Sequence, residues 1–293
     1  MKNKFEHSSY EENVLAQAYE RALSGRGQEQ IDMERFVDDY GAENVAGDRQ
    51  RVSDLEAKFE AEMTPEIREA IRLGTILEAI VVEQTELNEW FGPDVRTRKA
   101  SRFDDVVNGV DAIAEIEREH STSHLALAVD VTYGVLLQKK FDRIRHEIDD
   151  GTLATVKYFE NTDETFRGRL RKVPRVVLGV EKQKVVELAE LWTSGKQKEL
   201  AVHPAQLQLL DEILVQLRSF AEYARGKGKD DLARVYEKQL GIVESMASHP
   251  RKEKLRREMK ASGLYQRDQT EEAIRLGAKK LPAQGGLSGA HRR

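Results

Sequence analysis

The chain has 293 residues, 34% of them charged, with a net charge of −5 and no cysteine. This length predicts one α/β core with helical additions, or two compact units. The absence of cysteine excludes disulfides, thiolate zinc sites and a cysteine nucleophile. No stretch has the roughly eighteen uninterrupted apolar residues of a membrane span, and residues 1–7 lack the apolar segment of a secretory signal. A cytoplasmic protein that does not contact membranes is therefore expected.

Charge is unevenly distributed along the chain. Residues 1–62 carry 8 basic and 15 acidic side chains, whereas residues 251–293 carry 12 basic and 5 acidic ones. Contact with a polyanion is therefore expected to be local. The simplest interpretation of the basic C-terminal segment is a solvated tail.

The first 63 residues are predicted to form two or three helices, because apolar residues recur there at helical spacing. Thr64 and Pro65 mark the start of another helix, with Thr64 as its N-cap and Pro65 in its first position. The apolar stripe of this long helix comprises Leu73, Ile76, Leu77, Ile80, Leu87 and Phe91. Gly92–Pro93 ends it, and the stripe predicts that the helix lies against a sheet.

Beyond Pro93 the pattern changes from helical spacing to strands. Strands are predicted at 96–103, at the edge of the sheet, at 110–117 and at 125–133, and the polar connector 118–123 separates the last two. A helix follows Gly134. Its buried stripe comprises Leu137, Phe141, Ile144 and Ile148, and Gly151 ends it.

Two further strands are predicted at 153–159 and 174–180. The segment between them is predicted to be a polar loop, and its basic residues are Arg167, Arg169, Arg171 and Lys172. A helix over 181–192 and a helical hairpin over 204–248, with its turn at 226–228, follow. Beyond Pro250 the pattern weakens, and the last dozen residues are predicted to be disordered.

Acids stand in two strand-like runs that are otherwise mostly apolar. Asp111 lies in the run 109–116 and Asp130 in the run 124–132. Burying an unpaired carboxylate costs several kcal/mol unless a cation or hydrogen-bond donors compensate it. Acids that face each other from neighbouring strands therefore predict a shared metal ion.

The element order helix, strand, strand, strand, helix, strand, together with Asp111 and Asp130-Val131-Thr132, resembles the PD-(D/E)XK nuclease-like superfamily over Pro65–Val180. The resemblance implies an α/β protein with a restriction-endonuclease-like core flanked by N- and C-terminal helices. The corresponding regions are an N-terminal helical region (1–63), the core (64–195), a helical hairpin (196–250) and a basic, partly disordered tail (251–293).

The same resemblance implies a metal-dependent hydrolysis of phosphodiesters, with DNA as the expected substrate. Asp111 and Asp130 would hold Mg²⁺ or Mn²⁺, with Glu78 on the long helix as the third ligand. Such ions prefer carboxylates and water, and they activate an attacking water and stabilise charge on the phosphate. Other acids remain alternatives for the third ligand: Glu83, Glu86, Glu115, Asp104 and Asp105.

Thr132 occupies the position where the family has its catalytic lysine. In related enzymes the lysine has moved to the following helix, which here carries Lys139 and Lys140. At about 100° per residue, Lys140 falls about 70° from the centre of the buried stripe and Lys139 nearly opposite. Lys140 is therefore expected to face the sheet and to act in catalysis. If no lysine reaches the site, the protein is a nuclease-like fold that binds without cutting.

Four basic residues beside the predicted site are candidates for contacts with the DNA backbone: Arg96, Arg98, Lys99 and Arg102. The alternative class is a non-catalytic interaction protein, in which the helical regions bind a second copy of the chain or another protein. Zinc is not expected, because His120 and His124 straddle a connector rather than a helix. Nor is ATP or dinucleotide binding, because neither a strand nor a phosphate-loop lysine accompanies Gly25-Arg26-Gly27.

Overall fold

The computed structural model describes residues 2–118, 121–130, 135–263 and 267–285. Within these ranges it does not describe the side chains of residues 2–8, 26–29, 118, 128–130, 135–136 and 282–285. The protein is mixed α/β, 68% helical, with a mixed sheet of four strands. In the described parts of the chain, no helix is long and apolar enough to cross a membrane.

The helices, in chain order, are α1 (Lys2–Glu29), α2 (Val37–Tyr40), α3 (Ala42–Ala61), α4 (Pro65–Asn88), α5 (Arg102–Val106), α6 (Val135–Asp149), α7 (Lys182–Thr193), α8 (Gln197–Ala201), α9 (Ala205–Gly226), α10 (Asp230–Ala247), α11 (Pro250–Ser262) and α12 (Gln269–Gly285). A 3-10 turn, Met33–Phe36, precedes α2. The strands are β1 (Val95–Lys99), β2 (Ala112–Arg118), β3 (Ser121–Asp130), β4 (Ala154–Glu160), β5 (Arg167–Val173) and β6 (Arg175–Gly179).

The main sheet has the strand order β1-β2-β3-β6. β1, β2 and β3 are antiparallel neighbours, and β6 pairs parallel with β3 after the crossover helix α6. The predicted edge position of the first strand is confirmed. The β4–β5 hairpin, inserted between α6 and β6, forms a separate two-stranded sheet.

The start of α4 is as predicted, and its end is not. Thr64 is the N-cap, with its Oγ1 accepting a hydrogen bond from the Ile67 backbone N–H at 3.3 Å, and Pro65 is in the first turn. The helix stops at Asn88, before the predicted Gly92–Pro93, because Glu89 adopts a left-handed conformation. Leu87 is 61% exposed, so its predicted place in the buried stripe is wrong.

Three strand boundaries differ from the predictions. β1 ends at Lys99 because Ser101 caps the short helix α5, its Oγ accepting from the Asp104 backbone N–H. β3 begins at Ser121, so most of the predicted connector is paired strand. The predicted polar loop before β6 is strand β5, in which exposed basic residues alternate with Gly168 and Leu170.

Alternate residues of the sheet enter two hydrophobic clusters. Ile116 and Leu127 point to the face covered by α4, α6, α7 and α9. Ile113 and Ala126 point to the opposite face, where they pack with residues of α3 and the β4–β5 hairpin. The site at the end of the sheet is therefore supported by packed layers on both faces.

The C-terminal helices belong to the first of these clusters. The predicted hairpin of α9 and α10 is confirmed. Order extends further than predicted: α12 reaches Gly285, and Ile274, Ala278 and Leu281 are buried in the same cluster as the sheet. The predicted disorder of the last dozen residues is therefore wrong at its start, and residues 286–293 lie outside the described part.

Candidate functional site

Asp111 lies one residue before β2 rather than within it. Its backbone N–H donates to the Leu127 carbonyl at 3.0 Å, and its carbonyl accepts from the Ala100 N–H at 3.0 Å. Its side chain is 18% exposed, which leaves the carboxylate accessible to solvent. The loop is thus fixed by neighbouring strands on both sides.

Asp130 is at the same end of the sheet as Asp111. Ala112 pairs with Leu127 in the antiparallel β2–β3 ladder, so the last residue of β3 lies beside the start of β2. Asp130 also aligns with Gly179 at the end of β6. The structure therefore brings the backbones of the two predicted metal ligands to one sheet end. The Asp130 side chain, and all of Thr132, lie outside the described part.

Lys140 of α6 reaches Asp111. Its Nζ is 3.5 Å from Asp111 Oδ2, and its side chain is 28% exposed. Lys139 is exposed to solvent. The helix packs through Leu137, Phe141 and Ile144, so the two lysines have the orientations that the helical-wheel argument predicts.

Two arginines and a glutamate extend the charged cluster from Lys140 along α6. Arg175, the first residue of β6, is only 3% exposed, and donates to the Gly109 carbonyl at 2.7 Å and to Glu147 Oε1 at 2.8 Å. Burial raises the pKa of Glu147, against the opposing effect of Arg175 and Arg143. Burial is the main cause that lowers the pKa of Arg143, and repulsion from Arg175 adds to it. The negative charges of Glu147 and Asp111 act in the opposite direction.

These contacts define the sheet-end cluster: Asp111, Lys140, Arg143, Glu147 and Arg175. It contains three cationic and two anionic side chains, so its net charge is positive by one when all are ionised. A half-buried cluster with excess positive charge attracts an anion such as a phosphate group. Arg143 and Arg175 were not among the site residues predicted from the sequence. Arg175 could have been considered, because it is a basic residue directly before the apolar run 176–180.

Gly109 allows the arginines to approach the backbone. Its φ is +64°, and a Cβ atom there would overlap the Arg143 guanidinium and come within 3.1 Å of Arg175 Nη1. The Asn108-Gly109 turn therefore does more than end a loop. It lets the arginines of α6 and β6 pack beside Asp111.

Glu78 lies on α4, half-buried. It is four and eight residues before Val82 and Glu86, both of which contact Thr97 of β1. Residues four apart on a helix share a face, so Glu78 lies on the side of α4 that faces the sheet. Among the side chains that the structure describes, no three His, Asp or Glu residues form a group that could hold a metal ion.

The alternative acids have structural roles. Asp104 is fully buried and accepts hydrogen bonds from the backbone N–H groups of Lys157 and Tyr158, joining α5 to β4. Glu115 is 4% exposed and accepts from Thr162 in the turn of the β4–β5 hairpin. Glu83 pairs with Arg21 of α1. Glu86 accepts from the Thr97 backbone N–H, and Asp105 pairs with Arg102.

The residues predicted to contact the DNA backbone on β1 and α5 differ in exposure and in their partners. Lys99 is 2% exposed, which argues against a phosphate contact for this residue. Arg102 is engaged by Glu56 and Asp105. Arg98 donates to the Asn161 carbonyl at 2.9 Å, and Arg96 lies 3.8 Å from Glu86. The alternation of R-x-R-x-R in β5, interpreted as a loop from sequence, carries the more exposed basic residues instead.

Comparison of the chain with protein-family models, with curated proteins and with solved structures gives no significant match.

Proposed function

We propose that the protein is a metal-dependent nuclease that hydrolyses phosphodiester bonds of DNA in the cytoplasm. The observation that carries this proposal is the 3.5 Å contact between Lys140 Nζ and Asp111 Oδ2. It joins an acid at the start of the second strand to a lysine on the helix after the third, the arrangement that a PD-(D/E)XK-like core with a displaced lysine needs. The sheet order and the parallel pairing of β3 with β6 agree with the same core.

The donor set at the sheet end suits Mg²⁺ or Mn²⁺ in its chemistry. Asp111 offers a partly exposed carboxylate, and Asp130 is the neighbouring acid along the sheet end. Hard oxygen ligands of this kind are those that Mg²⁺ prefers. When bound, the ion would supply an activated water and charge stabilisation at the phosphate. Glu78, on the sheet-facing side of α4, is the proposed third acid.

The basic side chains have distinct proposed roles. Lys140, held at Asp111, would orient a nucleophilic water or offset charge on the phosphate. Arg143 would bind a non-bridging phosphate oxygen, because its guanidinium lies against the Gly109 turn that leads into Asp111. Arg175 is buried and fixed on Gly109 and Glu147, so it would position Arg143 rather than touch the substrate.

The second candidate is a non-catalytic protein with a nuclease-like fold. It is favoured by the same contact, because Lys140 compensates the charge of the Asp111 carboxylate. In that case the cluster would bind phosphate groups without cutting, or the helical regions would bind a second copy or another protein.

The test is cleavage of labelled single-stranded DNA, double-stranded DNA and RNA in Mg²⁺, in Mn²⁺ and in EDTA. The proposal predicts cleavage that requires the ion and is lost in Asp111→Asn and in Asp130→Asn. The matched control is Asp105→Asn, which removes an acid bound to Arg102 nearby. Equal cleavage by the Asp111 variant and the parent, or no cleavage by a folded parent, would reject the proposal.

A further inference from the structure

The exposed face of β5 is a basic surface that the sheet-end cluster does not include. We define the β5 basic face as Arg167, Arg169, Arg171 and Lys172, all of which are exposed. The sequence has no acidic residue between Glu164 and Glu181. Gly168 and Leu170 point inward, so the first three basic residues share one face of the strand.

A left-handed residue adds a fourth cation to this face. Lys172 has φ +57°, and the β4–β5 ladder shifts register along its length. The irregularity leaves Arg171 and Lys172 exposed one after the other, which regular alternation does not allow. A left-handed conformation is unfavourable for lysine, and such strain is often retained where a side chain has a function.

The charge of the face is least compensated at the C-terminal end of β5. Arg167 Nε lies 2.9 Å from Asp39 Oδ2, and the charge of Arg169 opposes the rise that burial causes in the pKa of Tyr40. Among the described residues, none forms an ion pair or hydrogen bond with the side chains of Arg171 or Lys172. These two are followed, after Val173-Pro174, by Arg175 of the cluster. The basic residues therefore form a row along β5 that ends before Arg175, whose side chain is buried.

An aromatic ring lies beside the N-terminal end of β5, on the side of Gly168 rather than on that of the basic residues. Phe166 is 46% exposed, its ring centroid is 6.1 Å from that of Phe159, and its backbone N–H donates to Asn161 Oδ1 at 2.8 Å. The ring is thus exposed and held in place by a neighbour. Proteins that bind single strands combine a basic track for the backbone with aromatic rings on which unpaired bases stack.

We propose that the β5 basic face binds single-stranded nucleic acid, with the exposed ring of Phe166 beside the N-terminal end of the strand. The inference deepens the proposed function by naming a substrate class, but binding itself does not depend on that function. A single strand fits better than a duplex, because the cations form one row along one strand and a base must be unpaired to stack on Phe166. Because a strand rises about 3.3 Å per residue, the row of basic residues on β5 is long enough for only a few nucleotides.

The test measures binding in EDTA, so that cleavage does not interfere. The probes are a labelled oligothymidylate, an oligouridylate and a DNA duplex of the same length. The first variant is Arg169→Ala/Arg171→Ala/Lys172→Ala. The matched control is Lys254→Ala/Arg257→Ala/Lys260→Ala, which removes the same charge from exposed positions of α11. Melting temperatures establish that both variants are folded.

We expect the parent to bind either single strand more tightly than the duplex, and the β5 variant to lose about tenfold or more in affinity. The slope of log affinity against log salt should fall by about two, since each single-strand phosphate contact contributes about 0.7. The α11 control should bind as the parent does. Phe166→Ala should lose about fivefold or more on single strands through lost stacking. Comparison of the affinities for the oligothymidylate and the oligouridylate shows whether the surface prefers DNA or RNA.

Four results would overturn the inference: equal losses in the β5 and α11 variants, tighter binding of the duplex, binding of poly-L-glutamate as tight as that of the oligonucleotides, or no binding by the parent. Single-strand binding through β5 without cleavage in Mg²⁺ or Mn²⁺ would instead reject the nuclease proposal and leave the binding surface intact. If the β5 variant binds and cleaves as the parent does, the binding surface is rejected and the nuclease proposal is retained.

Discussion

The Gln216 side chain of α9 forms two hydrogen bonds with the backbone of Val177 in β6. Its Oε1 accepts from the Val177 N–H at 2.8 Å and its Nε2 donates to the Val177 carbonyl at 2.7 Å. One turn earlier on α9, Glu212 accepts a hydrogen bond from the Gly179 N–H, and two turns earlier Gln208 donates to the Gly179 carbonyl. Four residues of helix rise about 6 Å and two residues of strand about 6.6 Å, so the helix matches the strand and closes this edge of the sheet.

Gln216→Ala is expected to lower the free energy of unfolding by about 2–4 kcal/mol, because it leaves a buried N–H and a buried carbonyl unsatisfied. Urea unfolding measures the change. The control is Gln138→Ala on the exposed side of α6, which should change stability by less than about 0.5 kcal/mol. Similar effects of the two substitutions would show that α9 does not satisfy the edge of β6.

Glu212 should make the fold less stable as pH rises. The side chain is fully buried, and burial, with repulsion from Glu271 and Asp268, raises its pKa well above 4.5 despite hydrogen bonds from Gly179 and Gln208. A raised acid pKa stabilises the fold fully below the ordinary pKa and loses that contribution as pH rises towards the folded-state value. Glu212→Gln should therefore gain in melting temperature relative to the parent as pH rises above 4.5.

The control for this pH series is Glu258→Gln, at an exposed position of α11. Its melting temperature should stay at a constant offset from that of the parent. A constant offset for Glu212→Gln as well would show that Glu212 is equally ionised in the folded and unfolded chains.

Gly109→Ala should be destabilising by about 2 kcal/mol or more, since a left-handed backbone costs about 1–2 kcal/mol for an alanine and the added Cβ displaces Arg143. It should also reduce any activity of the sheet-end cluster. Gly47→Ala is the matched control: Gly47 lies inside α3 with open space around its Cβ position, and the change should stabilise by about 0.5–1 kcal/mol. Chemical denaturation of both variants gives the comparison, and losses of equal size would contradict it.

Lys172→Gly and Lys172→Ala separate backbone strain from charge at β5. Both remove the cation, and both should weaken binding of the oligothymidylate to the same extent. Only glycine relieves the φ of +57°, so Lys172→Gly should be more stable than Lys172→Ala by about 1 kcal/mol. Thermal melts and binding titrations of the pair test this. Affinities that follow stability rather than charge would count against a direct contact.

The sequence predicts those parts of the fold in which local patterns act alone. Three predictions follow from the spacing of apolar residues and from capping and turn residues: the Thr64 cap, the buried stripe of α6 and the α9–α10 hairpin. Each is confirmed. β5 is different, because its basic residues make a strand resemble a loop, and the pairing with β4 that stabilises it is tertiary. Order in α12 was likewise missed, because its helix depends on packing against α9.

The same limit applies to the candidate site. Helical geometry alone predicts that Lys140 faces the sheet and that Lys139 faces solvent. The place of Arg175 is a consequence of sheet topology, which brings the first residue of β6 to the Gly109 carbonyl. The burial of Lys99 could not be read from its neighbours, because it depends on the segments that cover β1, among them the bridge to Gln30.

The most direct test of the proposed active site is the initial rate of cleavage of labelled single-stranded DNA in Mg²⁺ by the parent, Lys140→Ala and Lys139→Ala. The two variants remove the same charge from adjacent positions, but only Lys140 contacts Asp111. We predict a loss on the order of a hundredfold or more in Lys140→Ala, the scale of one charge-stabilising group, and an unchanged rate in Lys139→Ala. Equal rates in the two variants, or a greater loss in Lys139→Ala, would contradict an active site built on Asp111 and Lys140.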